Sequence, residues 1–232
     1  MTEHIVTSFD QDLEHLDRLI REMGALAGAM TQAATHALLY SDNGLAQRVI
    51  SDDIVMDAKQ RELDESAITL IAKRQPMARD LRAVVGAIRM AADLERIGDL
   101  AKNISKRVGA VGGSTPRGLS QPIETMANMV LEQVRMVVDY YVSREGEALI
   151  KLRDEDEKID FQYTSVFRQL LTYMMEDPRN ISACTHLLFC AKNLERIGDH
   201  VTNIAENAYY VLTGLQLPVQ RPKQDETQVT TS

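Results

Sequence analysis

The chain has no tryptophan, and aromatic residues make up only 5% of its 232 residues. A core without large rings has to be filled by aliphatic side chains, which here are leucine, isoleucine, valine, alanine and eleven methionines. That mixture is typical of helices packed on helices. Alternating strand-like runs bounded by turn residues are also scarce along the chain. The sequence therefore predicts an all-α protein.

The chain has fewer positively than negatively charged residues. The chain carries 26 lysines and arginines against 34 aspartates and glutamates, a formal net charge of −8. A protein that binds nucleic acid needs a surplus of lysine and arginine to displace counterions from the phosphates. The charge balance therefore argues against a nucleic-acid partner and favours proteins or cations.

Cysteine is nearly absent, with only Cys184 and Cys190 in the chain. Residues six apart on a helix do not share a face, which disfavours a disulfide or a thiolate metal site. We expect two buried free thiols, which suit a reducing compartment.

Long apolar runs are missing as well, because no segment approaches the roughly 18 residues that suggest a membrane span. The first residues are acidic where a signal peptide carries basic ones. We therefore expect a cytoplasmic protein that reaches a membrane only through its partners.

Hydrophobic periodicity predicts three helices on each side of a stretch rich in glycine, serine and proline at 109–118. The predicted helices are 9–39, 45–73, 76–108, 121–142, 146–175 and 178–214. Pro76 and Pro178 are each expected to open the helix that follows, and Gly214 to end the last one. The predicted units are 1–112 and 119–214, followed by a polar tail at 215–232 that we expect to be disordered.

The hexapeptide LERIGD occurs twice, at 94–99 and again at 194–199. The match resumes at Asn103 with Ile104 and at Asn203 with Ile204, at the same offset of 100. Each copy lies in the third predicted helix of its half. Such a match is improbable by chance, so the chain is predicted to be an internal duplication of a three-helix bundle.

Acidic residues recur four apart in each copy of this motif. Glu95, Asp99 and Asn103 form one stripe on the helix wheel, and it lies roughly opposite the apolar stripe. Like charges at i and i+4 destabilise a helix by about 0.2–0.5 kcal/mol per pair. A bound hard cation such as Mg²⁺, Ca²⁺, Mn²⁺ or iron would offset that cost. The alternatives are neutralisation by Arg96 and Arg196, or a merely solvated helix face.

The same pattern fills the second half and extends to the preceding helix of each half. The candidate metal ligands are Asp53, Asp57, Glu95, Asp99 and Asn103 in the first half, and Asp156, Asp160, Glu195, Asp199 and Asn203 in the second. The wheel places the four aspartates of the second and fifth predicted helices closer to the apolar side. His200, beside Asp199, points about 100 degrees away from it and is a weaker candidate.

The segments LERIGDLAKNI and LERIGDHVTNIAE, preceded by RQPMARDLR and DPRNISA, resemble the paired signatures of the PhoU family. The resemblance covers nearly the whole chain up to about Gly214. It implies two tandem three-helix bundles, often dimeric, with multinuclear metal sites at E/D-x-x-x-D motifs. All four motifs are present, and the metal could be Fe, Zn, Mn or Mg.

The resemblance also implies a function in phosphate homeostasis. It implies a negative regulator of the phosphate-starvation (Pho) regulon and of phosphate uptake. Such a protein links the ATPase subunit of a phosphate ABC transporter to the PAS domain of a sensor histidine kinase at the inner membrane. A homodimer is the expected oligomer.

Enzymatic activity is not expected. The Glu-x-x-His pairs of a di-iron bundle enzyme, a nucleophile and base combination, and a Walker-type phosphate loop are all missing from the sequence. We therefore assign no catalytic residue. The competing interpretation is a helical scaffold or chaperone-like protein, which would need no duplicated acidic motif.

Overall fold

The computed structural model describes residues 2–112 and 118–217, with side chains from residue 10 onward. All regular structure in these ranges is helical. The helices are α1 Thr2–Tyr40, α2 Asn43–Arg74, α3 Arg79–Ser105, α4 Val108–Val111, α5 Ser120–Val142, α6 Gly146–Asp154, α7 Asp156–Glu176 and α8 Ile181–Thr213. A short 3₁₀ turn, Pro178–Asn180, precedes α8. The predicted all-α class and the duplicated bundles are confirmed.

Each half is a bundle of three long helices. Helices α1, α2 and α3 pack on one another, and α5, α7 and α8 do the same, with α6 lying against α8 and α5. The helix α1 shows why: Leu16, Ile20, Met23, Ala27 and Met30 recur three or four residues apart and are all buried. Such a stripe has to be covered by neighbouring helices.

The two halves also pack against each other, chiefly through α3 on α8 and α1 on α5. Glycines permit the close approach. A Cβ atom on Gly24 would lie 2.5 Å from a methyl of Val138, and one on Gly86 would overlap Val211. The buried apolar residues consequently form one continuous cluster that spans both halves.

The predicted end of the last helix is confirmed, since Gly214 ends α8 at φ +76°. Asp42 caps α2 by accepting a hydrogen bond from the Leu45 backbone amide at 2.9 Å. Cys184 and Cys190 are buried free thiols, as expected. The tail predicted to be disordered is 215–232, and its residues 218–232 lie outside the described ranges. None of the described helices is long and apolar enough to cross a membrane.

Two predicted helices were wrong in detail. Pro76 does not open the third helix, because α3 begins only at Arg79. Gln75 ends α2 with a left-handed φ of +49°, and proline keeps the residue before it out of the right-handed helical region. The third helix also stops at Ser105 rather than at Val108, and a separate turn of helix, α4, follows.

The helix predicted from 146 to 175 is two helices that meet at Glu155. The break lies within the acidic run 154–157. Its physical reason is electrostatic, since like charges crowd the interior of a continuous helix but stabilise the first turn of a new one. Asp156 and Glu157 accordingly occupy the first turn of α7.

Candidate metal-binding clusters

Two glycines bring the acidic residues of neighbouring helices together. A Cβ atom on Gly98 would lie 3.2 Å from the Met56 side chain of α2. A Cβ atom on Gly198 would lie 3.0 Å from Asp156 Oδ1 of α7. The absence of a side chain therefore lets α2 lie over the motif of α3, and α7 over that of α8. Both motif glycines are thus points of close packing between helices.

The first acidic cluster consists of Asp53, Asp57, Glu95 and Asp99. Asp53 is buried, and the other three are half-buried. Burial raises the pKa of Glu95, and repulsion from the other three carboxylates of the cluster adds to the rise. Asp53 of α2 and Asp99 of α3 face a common space, because one side chain, Lys102, contacts both.

A lysine lies inside this first cluster. Lys102 Nζ is 2.6 Å from Asp53 Oδ2 and 2.6 Å from Asp99 Oδ1, and the lysine side chain is 19% exposed. Burial lowers the pKa of Lys102, but the hydrogen bonds that its ammonium group donates to the two carboxylates outweigh burial and raise the pKa, so the group stays charged. Arg96, which is largely exposed, pairs more loosely with Glu95 at 3.7 Å and Asp99 at 3.4 Å.

The second acidic cluster consists of Asp156, Asp160, Glu195 and Asp199. Asp156 and Glu195 are buried, while Asp160 and Asp199 are half-buried. Burial raises the pKa of Glu195; the hydrogen bond from Lys192 opposes the rise, and repulsion from Asp199 and Asp160 adds to it. Helices α7 and α8 thus repeat the arrangement of α2 and α3.

The lysine beside the second cluster, Lys192, is placed differently from Lys102. Lys192 Nζ donates to Glu195 Oε1 at 2.7 Å, and its side chain is 41% exposed. The other oxygen, Glu195 Oε2, is buried without a hydrogen-bond partner among the described residues. A buried carboxylate oxygen with no partner has lost its hydration without compensation. Glu195 therefore has acceptor capacity that the described residues leave unused.

The wheel placed the stripes opposite the apolar side, facing away from their own cores. That was wrong for the two glutamates. Glu195 is only 7% exposed, and the Glu95 side chain is 17% exposed. The reason is tertiary: α2 and α7 cover the stripe because glycine allows them to come close. The prediction that Asp53 and Asp156 lie towards the apolar side is confirmed, since both are buried.

The two candidate asparagines, Asn103 and Asn203, have different surroundings. Asn103 is exposed, whereas Asn203 is half-buried and its side-chain amide lies 3.5 Å from Asp93 Oδ1 of α3. His200 Nδ1 is 2.9 Å from the same carboxylate oxygen. Asn203 and His200 thus take part in the contact between the two halves.

Sequence reasoning missed the lysines and Asp93. Lys102 follows Asp99 by three residues and Lys192 precedes Glu195 by three, a spacing that places each pair on one helix face. That signal was available. The contact of Asp93 with His200 joins residues 107 positions apart and has no local signature.

The metal prediction remains a prediction. Within residues 2–112 and 118–217, no three histidine, cysteine, aspartate or glutamate side chains converge tightly enough to hold a metal ion as they stand. The unpartnered Glu195 Oε2 is the observation that fits a cation. Carboxylate oxygens are also the donors that hard cations prefer. The second cluster therefore offers one unused carboxylate oxygen, but its described side chains do not converge on a common point as they stand.

Comparison with known proteins agrees with this architecture. The family model described as the PhoU domain matches twice, at residues 20–108 and 123–208. A phosphate-specific transport system accessory protein PhoU homolog from Rhizobium meliloti is 57% identical over 225 residues, which cover 97% of this chain and 95% of the relative. The homolog from Caulobacter vibrioides is 46% identical, covering 97% and 98%.

Solved structures show the same fold. PhoU from Pseudomonas aeruginosa superposes with a TM-score of 0.85 at 33% identity, covering 89% of this chain and all of the other. The phosphate transport system regulatory protein PhoU from Streptococcus pneumoniae gives 0.84 at 25% identity, covering 91% and 100%. With the duplicated motif, the two bundles and matches over nearly its whole length, the chain belongs to the PhoU family.

Proposed function

We propose that this protein is a non-enzymatic negative regulator of phosphate uptake and of the phosphate-starvation response. The observation that carries the proposal is the match along 97% of the chain to accessory proteins of phosphate-specific transport. The aligned regions cover 95% and 98% of these two relatives and therefore span both bundles. The protein thus acts by binding other proteins, and its helices hold those surfaces in place.

Two partners complete the proposal. The protein contacts the ATPase subunit of a phosphate ABC transporter and the PAS domain of a sensor histidine kinase. It works as a homodimer in the cytoplasm and associates peripherally with the inner membrane through these partners. The names of the relatives, which place them with phosphate-specific transport, support the transporter contact.

Metal binding through the acidic clusters is part of the proposal. Asp53, Asp57, Glu95 and Asp99, and their counterparts Asp156, Asp160, Glu195 and Asp199, would hold Mn²⁺, Mg²⁺, Zn²⁺ or iron. A bound cation would neutralise carboxylates that burial otherwise penalises. Its role is structural and regulatory, because it would tie α2 to α3 or α7 to α8.

The regulatory role is tested by deleting the gene and measuring a phosphate-starvation reporter at high phosphate. Loss of a negative regulator is expected to switch the reporter on when phosphate is plentiful, and the wild-type gene restores repression. A reporter that stays repressed in the deletion strain contradicts the proposal.

The acidic clusters are tested in the same strain with Glu95, Asp99, Glu195 and Asp199 replaced by Ala. The matched control replaces four exposed acidic residues outside the clusters, Glu14, Glu65, Glu132 and Asp139. The cluster variant is expected to lose repression while the control keeps it, with native helicity by circular dichroism in both. Normal repression by the folded cluster variant supports the scaffold interpretation instead.

A further inference from the structure

The segment RQPMARDLR contains the loop between α2 and α3, residues 75–78, which takes no part in either acidic cluster. At the centre of this α2–α3 loop, Met77 is 81% exposed. Leu81, in the first turn of α3, is 39% exposed. Gln75 and Ala78 are exposed as well. The loop therefore presents an apolar side chain to solvent at one end of the first bundle.

The surroundings of the loop are basic, although the formal net charge of the chain is −8. Residues 73–82 contain four basic residues and one acidic residue, which gives a net charge of +3. Lys73 and Arg79 are exposed, whereas Arg74 is half-buried and pairs with Asp12 at 3.2 Å. A local positive patch of this kind attracts negatively charged surfaces and disfavours positive ones.

The position of Arg79 does not help the helix that carries it. Arg79 is the first residue of α3, and the amino end of a helix carries a partial positive charge that disfavours cations. Lys73 and Arg74, in the last turn of α2, are by contrast placed favourably. Arg82 has a role within the fold, because its guanidinium group lies 5.8 Å from the centroid of the Tyr210 ring. The stability of α3 therefore does not explain Arg79.

The backbone of the loop is strained at two residues. Gln75 has φ +49°, and Ala78 has φ +46° with ψ −104°. Residues other than glycine rarely adopt a positive φ. Such conformations cost stability and cluster at binding and switch regions, where the surrounding structure holds the chain in a fixed shape. The loop thus presents Met77 in a defined position.

The equivalent loop of the second half has neither feature. Aligning the prolines of the two loops pairs residues 73–82 with 175–184, which contain two acidic residues and one basic residue, a net charge of −1. Asp177 accepts hydrogen bonds from the backbone amide and the guanidinium group of Arg179, so that its charge is paired within the loop. None of the residues 175–184, all of which are described, has a positive φ. The basic charge and the strain therefore belong to the first loop and not to the repeated unit.

We propose that the α2–α3 loop is a docking element that inserts Met77 into an apolar pocket with an acidic rim on a partner protein. The inference rests on the proposed contact with the ATPase subunit of the transporter, and it assigns that contact to this loop. Lys73 and Arg79 pair with the acidic rim, and the flexible Met77 side chain fills the pocket. The fixed shape of the loop favours a protein over an anionic lipid bilayer, because a fluid surface gains nothing from a preformed backbone.

The test measures binding of the full-length protein to the purified ATPase subunit by isothermal titration calorimetry. Met77→Ser and Arg79→Glu are each expected to weaken the affinity by about tenfold or more. The matched controls are Met175→Ser and Arg179→Glu in the second loop, where Met175 is 79% exposed. Both controls should bind as the wild type does, and circular dichroism should show native helicity in all four variants.

Three results overturn the inference. The first is wild-type affinity in either variant of the first loop, or an equal loss in the second-loop controls, which would leave the ATPase contact to another surface. The second is co-sedimentation of the wild type with phosphatidylglycerol vesicles that Met77→Ser and Arg79→Glu abolish while both keep their affinity for the ATPase subunit, because the loop would then contact the membrane. The third is a wild type that does not bind the ATPase subunit, which refutes the transporter contact as well. The reporter assay in the deletion strain decides the regulatory role independently.

Discussion

The first and second acidic clusters come from the same hexapeptide, yet their carboxylates have different neighbours. In the first, Lys102 joins two helices and Arg96 pairs from outside. In the second, Lys192 pairs with the buried Glu195 from a half-exposed position. Duplication thus preserved the backbone that presents the carboxylates. The positive charge differs at two pairs of equivalent positions. The first half has Lys102 where the second has Thr202, and the second has Lys192 where the first has Ala92.

This difference matters because a buried carboxylate is costly until something compensates it. The first cluster meets that requirement within the chain. The second leaves Glu195 Oε2 without a partner among the described residues. Two copies of one motif can therefore differ in their dependence on an external cation while remaining nearly identical in sequence.

The largest difference in stability between the two halves is expected when Lys102 and Lys192 are each replaced by alanine. Lys102→Ala leaves Asp53 buried without its cation and is expected to lower the free energy of unfolding by about 2–4 kcal/mol, somewhat less than a fully buried pair. Lys192→Ala is expected to cost about 1 kcal/mol, because the lysine side chain is 41% exposed. Urea denaturation of both variants in metal-free buffer measures the difference, and equal losses would contradict it.

A smaller difference is expected between the two motif glycines. Ala in place of Gly gains up to about 1 kcal/mol of helix propensity. At Gly98 the new methyl meets the flexible Met56 and Met30 side chains, so Gly98→Ala should stay within about 1 kcal/mol of the wild type. At Gly198 it meets Asp156 Oδ1 at 3.0 Å and the stiff Ile159 side chain. Gly198→Ala is expected to cost about 1–2 kcal/mol.

Thermal denaturation with the same two variants provides the measurement. Gly198→Ala should melt at a lower temperature than Gly98→Ala, and the order should hold in the presence of chelator. The reverse order would show that the α7 and α8 helices yield more easily than the α2 and α3 pair.

The smallest expected difference between the two clusters is in how the free energy of unfolding depends on pH. Burial raises the pKa of Glu195 above its ordinary value, so the folded state binds a proton that the unfolded state has already released. Between the ordinary and the raised pKa, the folded state of the metal-free protein therefore gains stability as pH falls. Above the raised pKa the charged form carries the full penalty. Glu195→Gln removes the titration and should flatten this part of the stability profile.

Glu95 provides the matched control. Its pKa is also raised by burial, but its side chain is 17% exposed against 9% for that of Glu195. Glu95→Gln should therefore change the pH dependence of unfolding in the same direction and by less. Urea midpoints from pH 4.5 to 7 in the presence of chelator would reveal the order, and a larger effect of Glu95→Gln would contradict the assignment.

Much of the fold was predictable because the signals are local. The buried stripe of α1, the Asp42 cap and the Gly214 terminus are all set by residues within a turn or two of one another. The break at Glu155 was missed although its acidic run was visible. A run of like charges marks either a solvated face or a new helix start, and the choice depends on packing.

Much less of the candidate site was predictable. The acidic residues were found from their repeated spacing and the exposure of Asn103 from the helix wheel, but the burial of Glu195 was not predicted. A helix wheel compares the faces of one helix and gives no information about which other helices pack against them. Whether a polar face is exposed or covered depends on the helix that packs against it, which can come close here because Gly98 and Gly198 have no side chain.

By itself, the sequence determined the helical class, the duplication and the four acidic motifs, since periodicity and repetition are properties of the linear chain. The tertiary structure decided which carboxylates are buried, which lysine neutralises them and how α3 packs on α8. These outcomes depend on distances between residues such as Asp53 and Lys102, which are 49 positions apart. Electrostatic compensation acts through space, and only folding brings such charges to 2.6 Å.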